Sequence, residues 1–303
     1  MSRYVHVPLG EDQLFIANEH VYSGKDFPFH YHPEIELTCV FRSNGMRLVG
    51  DSFESYRKGD LVALGSNLPH QWQKNESFKG PRMFNDHIVV VHIHDGRLKA
   101  IIEGTRELWS LKPLMEEIRS GVVFSRETVS WVSPRMQQLV QEGGSMSGVI
   151  TLLEILRLLS KDPKRRVLAS PLFRWPEDSP GRERIFDVVG YLLKNYHREI
   201  RAGELAEQLN LSKSAFSHYF RKRTSKSFRE YLTDIRLGNA CKMLQDSDKN
   251  VGEICFECGF GSISNFNKAF NRTYRTSPMQ YRRRMRTLAC TGCGGARGRN
   301  GGT

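Results

Sequence analysis

Residues 205–222 read LAEQLNLSKSAFSHYFRK, and residues 254–271 read ICFECGFGSISNFNKAFN. The two stretches are copies of one pattern, because matching residues recur 49 positions apart in its first half and 50 apart in its second. One added residue is tolerated where a turn joins two helices. The matched pairs are Leu205 and Ile254, Ala206 and Cys255, Leu209 and Cys258, Leu211 and Phe260, Phe216 and Phe266, Phe220 and Phe270, Ser227 and Ser277, and Tyr231 and Tyr281.

Each copy predicts two short amphipathic helices, because apolar residues recur three and four apart on both sides of a break at Asn210 or Gly259. After the break, Ser212 and Ser262 can each cap the second helix by accepting a hydrogen bond from a backbone N–H group. This is the outline of a helix-turn-helix unit, whose second helix presents a short polar stripe to a DNA major groove. The predicted stripes are Lys213, Ser214, Ser217, His218 and Arg221 in the first copy, and Ile263, Ser264, Asn267, Lys268 and Asn271 in the second.

Residues 226–245, between the copies, predict a single linker helix. They contain no proline and place Phe228, Leu232, Ile235 and Leu244 on one face. A helix of this length spans about 30 Å. Successive major-groove faces of a duplex are about 34 Å apart, so one rigid helix can hold two reading helices on the same side of DNA.

The stretch from about Arg184 to Arg286 resembles the DNA-binding domain of the AraC/XylS family. The resemblance covers about a third of the chain and lies in the segments LAEQLNLSKSAFSHYFRK, REYLTDIRLGNACKML and CGFGSISNFNKAFNRTYRTSPMQYRR. It implies sequence-specific binding to double-stranded DNA and control of transcription through RNA polymerase. The family usually has glycine after each reading helix, whereas this chain has Ser225 and Arg275. Those corners are therefore either slightly strained or built differently.

The charge of the chain is concentrated in this part. Residues 182–303 contain 23 Lys and Arg against 11 Asp and Glu, a net charge of +12, while residues 1–181 are balanced. This division indicates a nucleic-acid-binding part joined to a part with another partner. A helical bundle with a basic solvated face is the structural alternative. The sequence shows neither a long apolar run nor a signal-peptide pattern, so we expect a soluble, cytoplasmic protein.

The remaining sequence predicts an α+β fold class. Short alternating runs between turn residues in 1–95 predict many short strands, which favours a β-barrel or a jelly roll. Residues 96–161 show helical spacing, and residues 162–181 contain four prolines, as is typical of a linker. The predicted DNA-binding domain spans 182–286, and the glycine-rich residues 287–303 are expected to form a disordered tail.

The segments FHYHPEIELTCVFRSNG, at 29–45, and YRKGDLVALGSNLPHQW, at 56–72, resemble the cupin-type sensor domain that often precedes this DNA-binding domain. The resemblance implies a cupin-like β-barrel that binds a small-molecule effector. The second cupin motif is incomplete, because SNLPH stands where a proline-x-glycine usually precedes the last histidine.

His30, His32, Glu36 and His70 fall on the positions that bind a metal in metal-dependent cupins. His30 and His32 share one strand face, and Glu36 joins them if the strand continues without a bulge. Three imidazoles and a carboxylate would suit Zn, Ni, Fe or Mn. The alternative is that these side chains line a polar effector pocket or are hydrogen-bonded structural residues.

Other polar and aromatic residues of the β region have less specific signals. Trp72, Tyr22 and Phe29 are candidates to stack on a sugar or an aromatic ligand, although such residues are as often core. His92 and His94 share a strand face. They are candidates to add to a pocket, although on spacing alone we expect a satisfied surface role for them.

The segment GVITLLEILRLLS, at residues 148–160, carries more apolar surface than one side of a barrel needs. It either packs beneath the other helices or forms a homodimer seam, as such helices are thought to do in this family. Its apolar residues include Ile150, Leu153, Leu156, Leu158 and Leu159.

Two C-x-x-C pairs, Cys255 with Cys258 and Cys290 with Cys293, are compatible with zinc binding. The first pair takes the positions of two core residues in the other copy, which favours buried thiols. The second pair lies in the predicted tail. Reduced thiols are the default in the cytosol.

Three functions remain at this point. The leading hypothesis is a ligand-responsive activator of catabolic genes for a sugar or a related small molecule, which binds DNA through both stripes. The second is an architectural DNA-binding protein without ligand control. The third is a metal-dependent cupin enzyme, although no dedicated acid/base pair is identifiable. We expect no catalytic residues.

Overall fold

The computed structural model of the protein describes residues 4–22, 27–74, 86–171, 173 and 179–291. Strands dominate as far as Ile93 and helices dominate beyond it, which confirms the α+β fold class. Among the described helices, none combines the length and the apolar character needed to cross a membrane.

The described strands form two antiparallel sheets. They are β1 (Phe15–Tyr22), β2 (Phe27–His30), β3 (Ile35–Arg42), β4 (Asn44–Val49), β5 (Ser52–Arg57), β6 (Leu61–Leu64), β7 (His70–Lys74), β8 (Asp86–Ile93), β9 (Val122–Val123) and β10 (Arg166–Val167). One sheet has the order β1-β8-β3-β6-β9-β10 and the other the order β2-β7-β4-β5. Leu64 of the first sheet packs in one cluster with Val49 and Trp72 of the second. Neither order closes on itself among the described strands, so the expected β-barrel is an open pair of facing sheets.

Helices cover the other face of the six-stranded sheet. They are α1 (Asp95–Gly104), a 3-10 helix (Arg106–Leu111), α2 (Lys112–Ile118), α3 (Arg126–Glu142) and α4 (Met146–Ser160). Leu37 of the sheet is buried together with Met136 of α3 and Leu156 of α4. Leu159 of α4 is also buried, whereas Ile150 is 55% exposed. Packing beneath the other helices therefore accounts for much of the apolar surface of α4, and a dimer seam stays a prediction.

The proline-rich stretch is attached to the sheets where the structure describes it. Arg166–Val167 forms β10, and Leu168 and Phe173 are buried with residues of both sheets. Arg165 forms an ion pair with Glu117, with Nε and Oε2 2.6 Å apart. This part of the stretch therefore continues the β region instead of running free to the next helix.

The C-terminal part consists of helices, and it contains the two helix-turn-helix units. The helices are α5 (Ser179–Asn195), α6 (Ala202–Gln208), α7 (Lys213–Thr224), α8 (Phe228–Asp246), α9 (Val251–Glu257), α10 (Ile263–Tyr274) and α11 (Pro278–Thr291). The first unit is α6–α7 and the second is α9–α10, with α8 as the linker helix between them. The predicted caps are confirmed, because Ser212 and Ser262 accept hydrogen bonds from the backbone N–H groups of Ala215 and Asn265. Helix α11 continues five residues past the expected end of the domain.

Both reading helices, α7 and α10, end in a left-handed residue that is not glycine. Ser225 has φ 61° and Arg275 has φ 55°. Their N–H groups donate to the carbonyl oxygens of Arg221 and Asn271, four residues earlier. Of the two alternatives for these corners, the strained one is observed. A side chain in this region costs about 1 kcal/mol relative to glycine.

We expect Ser225→Gly and Arg275→Gly each to raise the free energy of unfolding by up to about 1 kcal/mol, because glycine removes the steric cost of the left-handed residue. Urea unfolding of the full chain measures this. Lys222→Gly, in the body of α7, is the matched control and should lower the free energy of unfolding by about 1 kcal/mol. An equal decrease in the free energy of unfolding in all three variants would contradict the assignment of strain to Ser225 and Arg275.

The cysteines of the second unit lie in its apolar core. Cys255 and Cys258 are fully buried, and the Cys258 Sγ lies 3.6 Å from the Met243 Sδ. Burial raises the pKa of the Cys258 thiol to about 12. This matches the expectation of buried thiols, since a zinc ligand must be a thiolate. Cys293 and the side chain of Cys290 lie outside what the structure describes.

The β4–β5 hairpin of the second sheet packs against α8. Leu48 of β4 is buried in the core of the first helix-turn-helix unit, and Met46 is buried in the core of the second. The Tyr231 hydroxyl of α8 donates to the Gly50 carbonyl oxygen over 3.0 Å. The sheet therefore contacts the helix that separates the two reading helices.

Candidate functional site

The first reading helix, α7, is anchored by two phenylalanines. Phe216 and Phe220 are fully buried, and the Phe220 ring meets Tyr231 edge-on with 5.5 Å between centroids. Burial of these positions fixes the rotation of the helix and thereby the face that points outward. The five predicted residues lie exposed on α7: Lys213, Ser214, Ser217, His218 and Arg221.

The second reading helix, α10, is held in the same way. Phe266 and Phe270 are fully buried, and Phe270 meets Tyr281 edge-on with 5.5 Å between centroids. The polar stripe of α10 is again exposed, and Ile263 at its start is 43% exposed. The other exposed members are Ser264, Asn267, Lys268 and Asn271. Contact of these residues with DNA stays a prediction.

Helix α8 sets the distance between the two units. It has 19 residues, about 28 Å of helix, close to the 34 Å between successive major-groove faces. A capping box starts it, because the Ser227 side chain accepts from the Glu230 N–H group while Glu230 accepts from the Ser227 N–H group. The predicted start at Lys226 is thus two residues early.

His218 and Arg221 on α7 should differ in what they contribute to DNA binding. His218→Ala should relax sequence preference by roughly 1–3 kcal/mol at a few base pairs, since a side chain at a base edge carries sequence information. Arg221→Ala should weaken binding to all duplexes and reduce the salt slope by about 1, as expected for a phosphate contact. Salt titrations against an operator and a scrambled duplex measure both. Equal losses on both duplexes for His218→Ala would contradict its assignment.

Four polar side chains of the β region meet in one buried cluster, which we call the histidine cluster. One ligand-capable atom from each of His30, His32, Glu36 and His70 lies within 4.8 Å of the others. All four side chains are buried. The structure therefore brings together the residues that the sequence groups, and their role stays a prediction.

The chain reaches this arrangement by a different route from the predicted continuous strand. Strand β2 ends at His30 in one sheet, and β3 begins at Ile35 in the other. His32 lies in the connection between the sheets. Glu36 is therefore not on the same strand as His30, and they meet because the chain crosses from one sheet to the other.

Two histidines of the cluster have their ring orientation fixed by backbone carbonyl groups. The Nδ1 atom of His30 lies 2.7 Å from the Pro28 carbonyl oxygen, and that of His70 lies 2.7 Å from the Leu68 carbonyl oxygen. A carbonyl oxygen only accepts, so Nδ1 carries the proton and donates. In the neutral ring, Nε2 then carries the lone pair that can bind a metal ion. Most metal-binding histidines are held in this way, with the other ring N–H group donating to an acceptor.

One oxygen of Glu36, Oε2, faces three imidazoles. Its distance to Nε2 is 3.1 Å for His32, 3.5 Å for His70 and 3.4 Å for His92. Burial alone would raise the pKa of Glu36, but the neighbouring histidines hold it well below its usual range. The carboxylate is therefore the negative centre of the cluster.

His30 and His32 differ in charge. Burial, with the neighbouring His70 as a smaller cause, lowers the pKa of His30 to about 3. Burial would also lower the pKa of His32, but its hydrogen bonds to Glu34 and Glu36 outweigh that effect and raise it to about 9. Without a bound ion, His32 is therefore the imidazolium partner of Glu36 at neutral pH.

His92 lies beside the histidine cluster, and the expected surface role for it is wrong. The register of β3 and β8 places it opposite Glu36, and its side chain is 14% exposed. Alternation along β8 indicates which residues share a face, but only the register shows what they face. His94 instead caps α1 by accepting from the Arg97 N–H group.

The candidate aromatic residues lie in different surroundings. Trp72 is buried beside His70, edge-on with 5.5 Å between ring centroids. Its Nε1 donor has no hydrogen-bond partner among the described residues. Phe29 stacks on Phe186 of α5 with 4.4 Å between centroids, outside the cluster. The side chain of Tyr22 lies outside the described part of the chain.

A cleft of about 920 Å³ borders the histidine cluster without being lined by it. Its walls include Ser66 and Asn67 from the β6–β7 connection, Lys99 from α1 and Arg119 from the turn after α2. The Asn67 N–H group donates to the His32 carbonyl oxygen over 2.7 Å. A cleft of this size is in the range of small-molecule sites.

Known proteins resemble this chain in its repeat and along most of its length. A family profile described as a helix-turn-helix domain matches residues 205–284. The chain is 26% identical over 276 residues to the HTH-type transcriptional activator RhaR of Enterobacter sp. (strain 638), covering 88% of this chain and 91% of the relative. It is 22% identical over 265 residues to the melibiose operon regulatory protein of Escherichia coli (strain K12), covering 84% and 83%. The solved C-terminal domain of AraT, a response regulator from Geobacillus stearothermophilus, is 27% identical with a TM-score of 0.32, covering 38% of this chain and 88% of that one.

Two helix-turn-helix units on one linker helix, with exposed polar stripes and a net positive charge, define a DNA-binding transcription regulator. The matched repeat and the relatives, which are themselves transcription regulators, agree with this class. Residues 205–284 form a helix-turn-helix domain of the AraC type.

Proposed function

We propose that this protein is a ligand-responsive, sequence-specific activator whose β region binds a sugar or a related small molecule. The observation that carries the proposal is the packing of the β4–β5 hairpin on α8, because it joins the candidate sensor to both reading helices. One relative is a transcriptional activator and another regulates a melibiose operon, which supports activation and a sugar effector. In this proposal residues 1–161 set the response, and residues 182–286 bind DNA.

Two contacts lead from the histidine cluster to the DNA-binding helices. His70 pairs with Val49 across β7 and β4, and the next residue, Gly50, accepts the hydrogen bond from Tyr231 of α8. Phe29, which precedes His30, stacks on Phe186 of α5. A ligand that shifts β2 or β7 would thereby change the packing of the DNA-binding helices.

A divalent metal in the histidine cluster is a second proposal, supported by the fixed Nδ1–H groups of His30 and His70. The donors would be His30, His32, Glu36 and His70, with His92 beside them. Such a donor set suits Zn, Ni, Fe or Mn, and the ion would supply a Lewis-acidic site for an oxygen atom of the effector. The relatives are regulators, so we propose effector binding there and no turnover.

The test uses the full chain and a duplex that it selects from a random library. Affinity for that duplex is measured with and without each member of a panel of mono- and disaccharides that includes melibiose. A change of about fivefold or more with one compound supports the proposal, since couplings of this kind are typically 1–3 kcal/mol. Equal affinity with every compound favours an architectural protein. Turnover of a compound by metal-loaded protein would favour the enzyme.

The matched variant for this test is Tyr231→Phe, which removes the hydrogen bond to Gly50 and keeps the ring in its core. It should bind the duplex and lose part of the response to the compound. We also propose a homodimer and contact with RNA polymerase. Sedimentation of the full chain tests the first, and transcription in a purified system tests the second.

A further inference from the structure

Arg236 lies on α8 at the border between the two helix-turn-helix units. Its neighbour on one side, Ile235, is buried in the core of the first unit. Its neighbour on the other side, Leu237, is buried in the core of the second unit. The first half of α8 therefore packs on one unit and the second half on the other, and Arg236 marks the change.

The guanidinium group of Arg236 binds the backbone of the turn that leads into the first unit. Its Nε donates to the Tyr196 carbonyl oxygen over 2.8 Å, and its Nη2 donates to the Arg198 carbonyl oxygen over 2.8 Å. These carbonyl groups lie in the turn between α5 and α6, which leads into the first unit. Two donors from one planar group fix this turn in direction as well as in distance.

The same guanidinium group touches the turn of the second unit. Its central carbon lies 5.9 Å from the centroid of the Phe260 ring. Gly259, with φ 82°, comes so close that an added Cβ would lie 2.4 Å from the Tyr196 carbonyl oxygen and 3.0 Å from Arg236 Nε. The turn of the second unit thus meets the turn before the first unit directly, with Arg236 between them.

This contact restrains a motion that α8 alone leaves open. Each unit joins α8 through a short turn, so each could pivot about its end of the helix. A contact between the units at the middle of α8 opposes that pivot. We propose that Arg236 is a positioning residue that fixes the two reading helices relative to each other, and so makes the protein selective for the spacing between its two recognition boxes.

Spacing selectivity follows from the geometry of DNA. One inserted base pair moves the second box by about 3.4 Å and rotates it by about 35°. A rigid pair of reading helices then loses contacts at one box, whereas a pair that can pivot recovers part of them. The affinity ratio between native and shifted spacing therefore reports the rigidity of the pair.

The experiment compares the full wild-type chain with Arg236→Gln and Arg236→Lys. The duplexes carry the two boxes that wild type selects from a random library, at native spacing, with one base pair inserted, and with the second box scrambled. Wild type should lose about tenfold in affinity on insertion, and Arg236→Gln less than about threefold. Affinity for the single-box duplex should be unchanged. Arg236→Lys, which keeps the charge and loses the paired donors, should resemble Arg236→Gln.

Arg229→Gln is the matched control, because Arg229 is an exposed arginine on the same helix. It should keep the wild-type ratio between spacings. Circular dichroism establishes that each variant is folded, and Gly259→Ala tests the same contact from the second unit if Arg236→Gln does not fold. A folded Arg236→Gln or Gly259→Ala with the wild-type spacing ratio overturns the proposal. An equal loss on the single-box duplex also overturns it, because it would assign a role in one unit only.

Discussion

Gly238→Ala is expected to destabilise the full chain, although the same change in an exposed helix normally stabilises it by about 1 kcal/mol. Gly238 lies within α8, where Phe53 of β5 presses against it. An added Cβ would lie 2.0 Å from Phe53 Cδ1 and 2.3 Å from Cε1. Relief of such a clash requires the hairpin to move off the helix, and overpacking of this kind costs about 1–3 kcal/mol.

A double-mutant cycle with Phe53→Ala should reverse the sign of the effect of Gly238→Ala on stability. In a Phe53→Ala background the clash is absent, so Gly238→Ala should raise the free energy of unfolding by up to about 1 kcal/mol. Urea unfolding of the four proteins measures the coupling. The same effect of Gly238→Ala in both backgrounds would show that the hairpin does not pack on α8 in solution, and it would remove the observation that carries ligand control.

The second large effect is expected for metal binding. The full chain, purified without a histidine tag, should take up about one equivalent of Zn, Ni, Fe or Mn, because three imidazoles and a carboxylate converge in the histidine cluster. The double variant His32→Ala/His70→Ala should take up less than about a tenth of an equivalent, since half of the donor set is lost. Elemental analysis after dialysis measures both.

His87→Ala is the matched control, because His87 pairs with Glu19 outside the cluster. It should keep the wild-type metal content. Wild type with less than about a tenth of an equivalent after addition of all four metals contradicts the metal site and leaves the effector pocket standing. Survival of effector binding in His32→Ala/His70→Ala would show that the pocket itself lies elsewhere.

The repeat shows how far sequence alone carries the prediction of the DNA-binding part. The spacing of buried residues such as Phe216 and Phe266, the caps Ser212 and Ser262, and the length of α8 are local features. Helix periodicity and capping act over three to four residues, so they can be read from the chain directly. The exposed stripes follow, because the buried face of a helix determines the opposite one.

The residues that replace glycine after the two reading helices indicated where the backbone could be strained, but they did not decide whether it is. Serine and arginine at 225 and 275 in place of glycine left two alternatives, strained or rebuilt corners. The backbone angles show the strained one. A sequence states which residue occupies a corner, but the hydrogen bonds and packing around it decide whether the left-handed angle is kept.

The candidate pocket required tertiary structure. The sequence grouped His30, His32, Glu36 and His70 by resemblance, yet the chain changes sheets between His30 and Glu36. It favoured a surface role for His92, because the contact of His92 with Glu36 depends on the register of β8 against β3. A strand's alternation shows which of its residues share a face, but the pairing of β3 with β8 joins residues far apart in the chain, so the contact across it requires the tertiary structure.

By itself, the sequence determined a DNA-reading unit in two copies and a helix between them. It also determined that a β region in a part of the chain without net charge precedes a basic C-terminal part. Tertiary structure alone decided that the proline-rich stretch adds a strand to the β region, that the β4–β5 hairpin lies on α8, and that Arg236 joins the two units. The physical reason is the range of the forces involved. Periodicity and capping involve near neighbours, whereas contacts such as Tyr231 with Gly50 join residues far apart in the chain, and only the complete packing selects them.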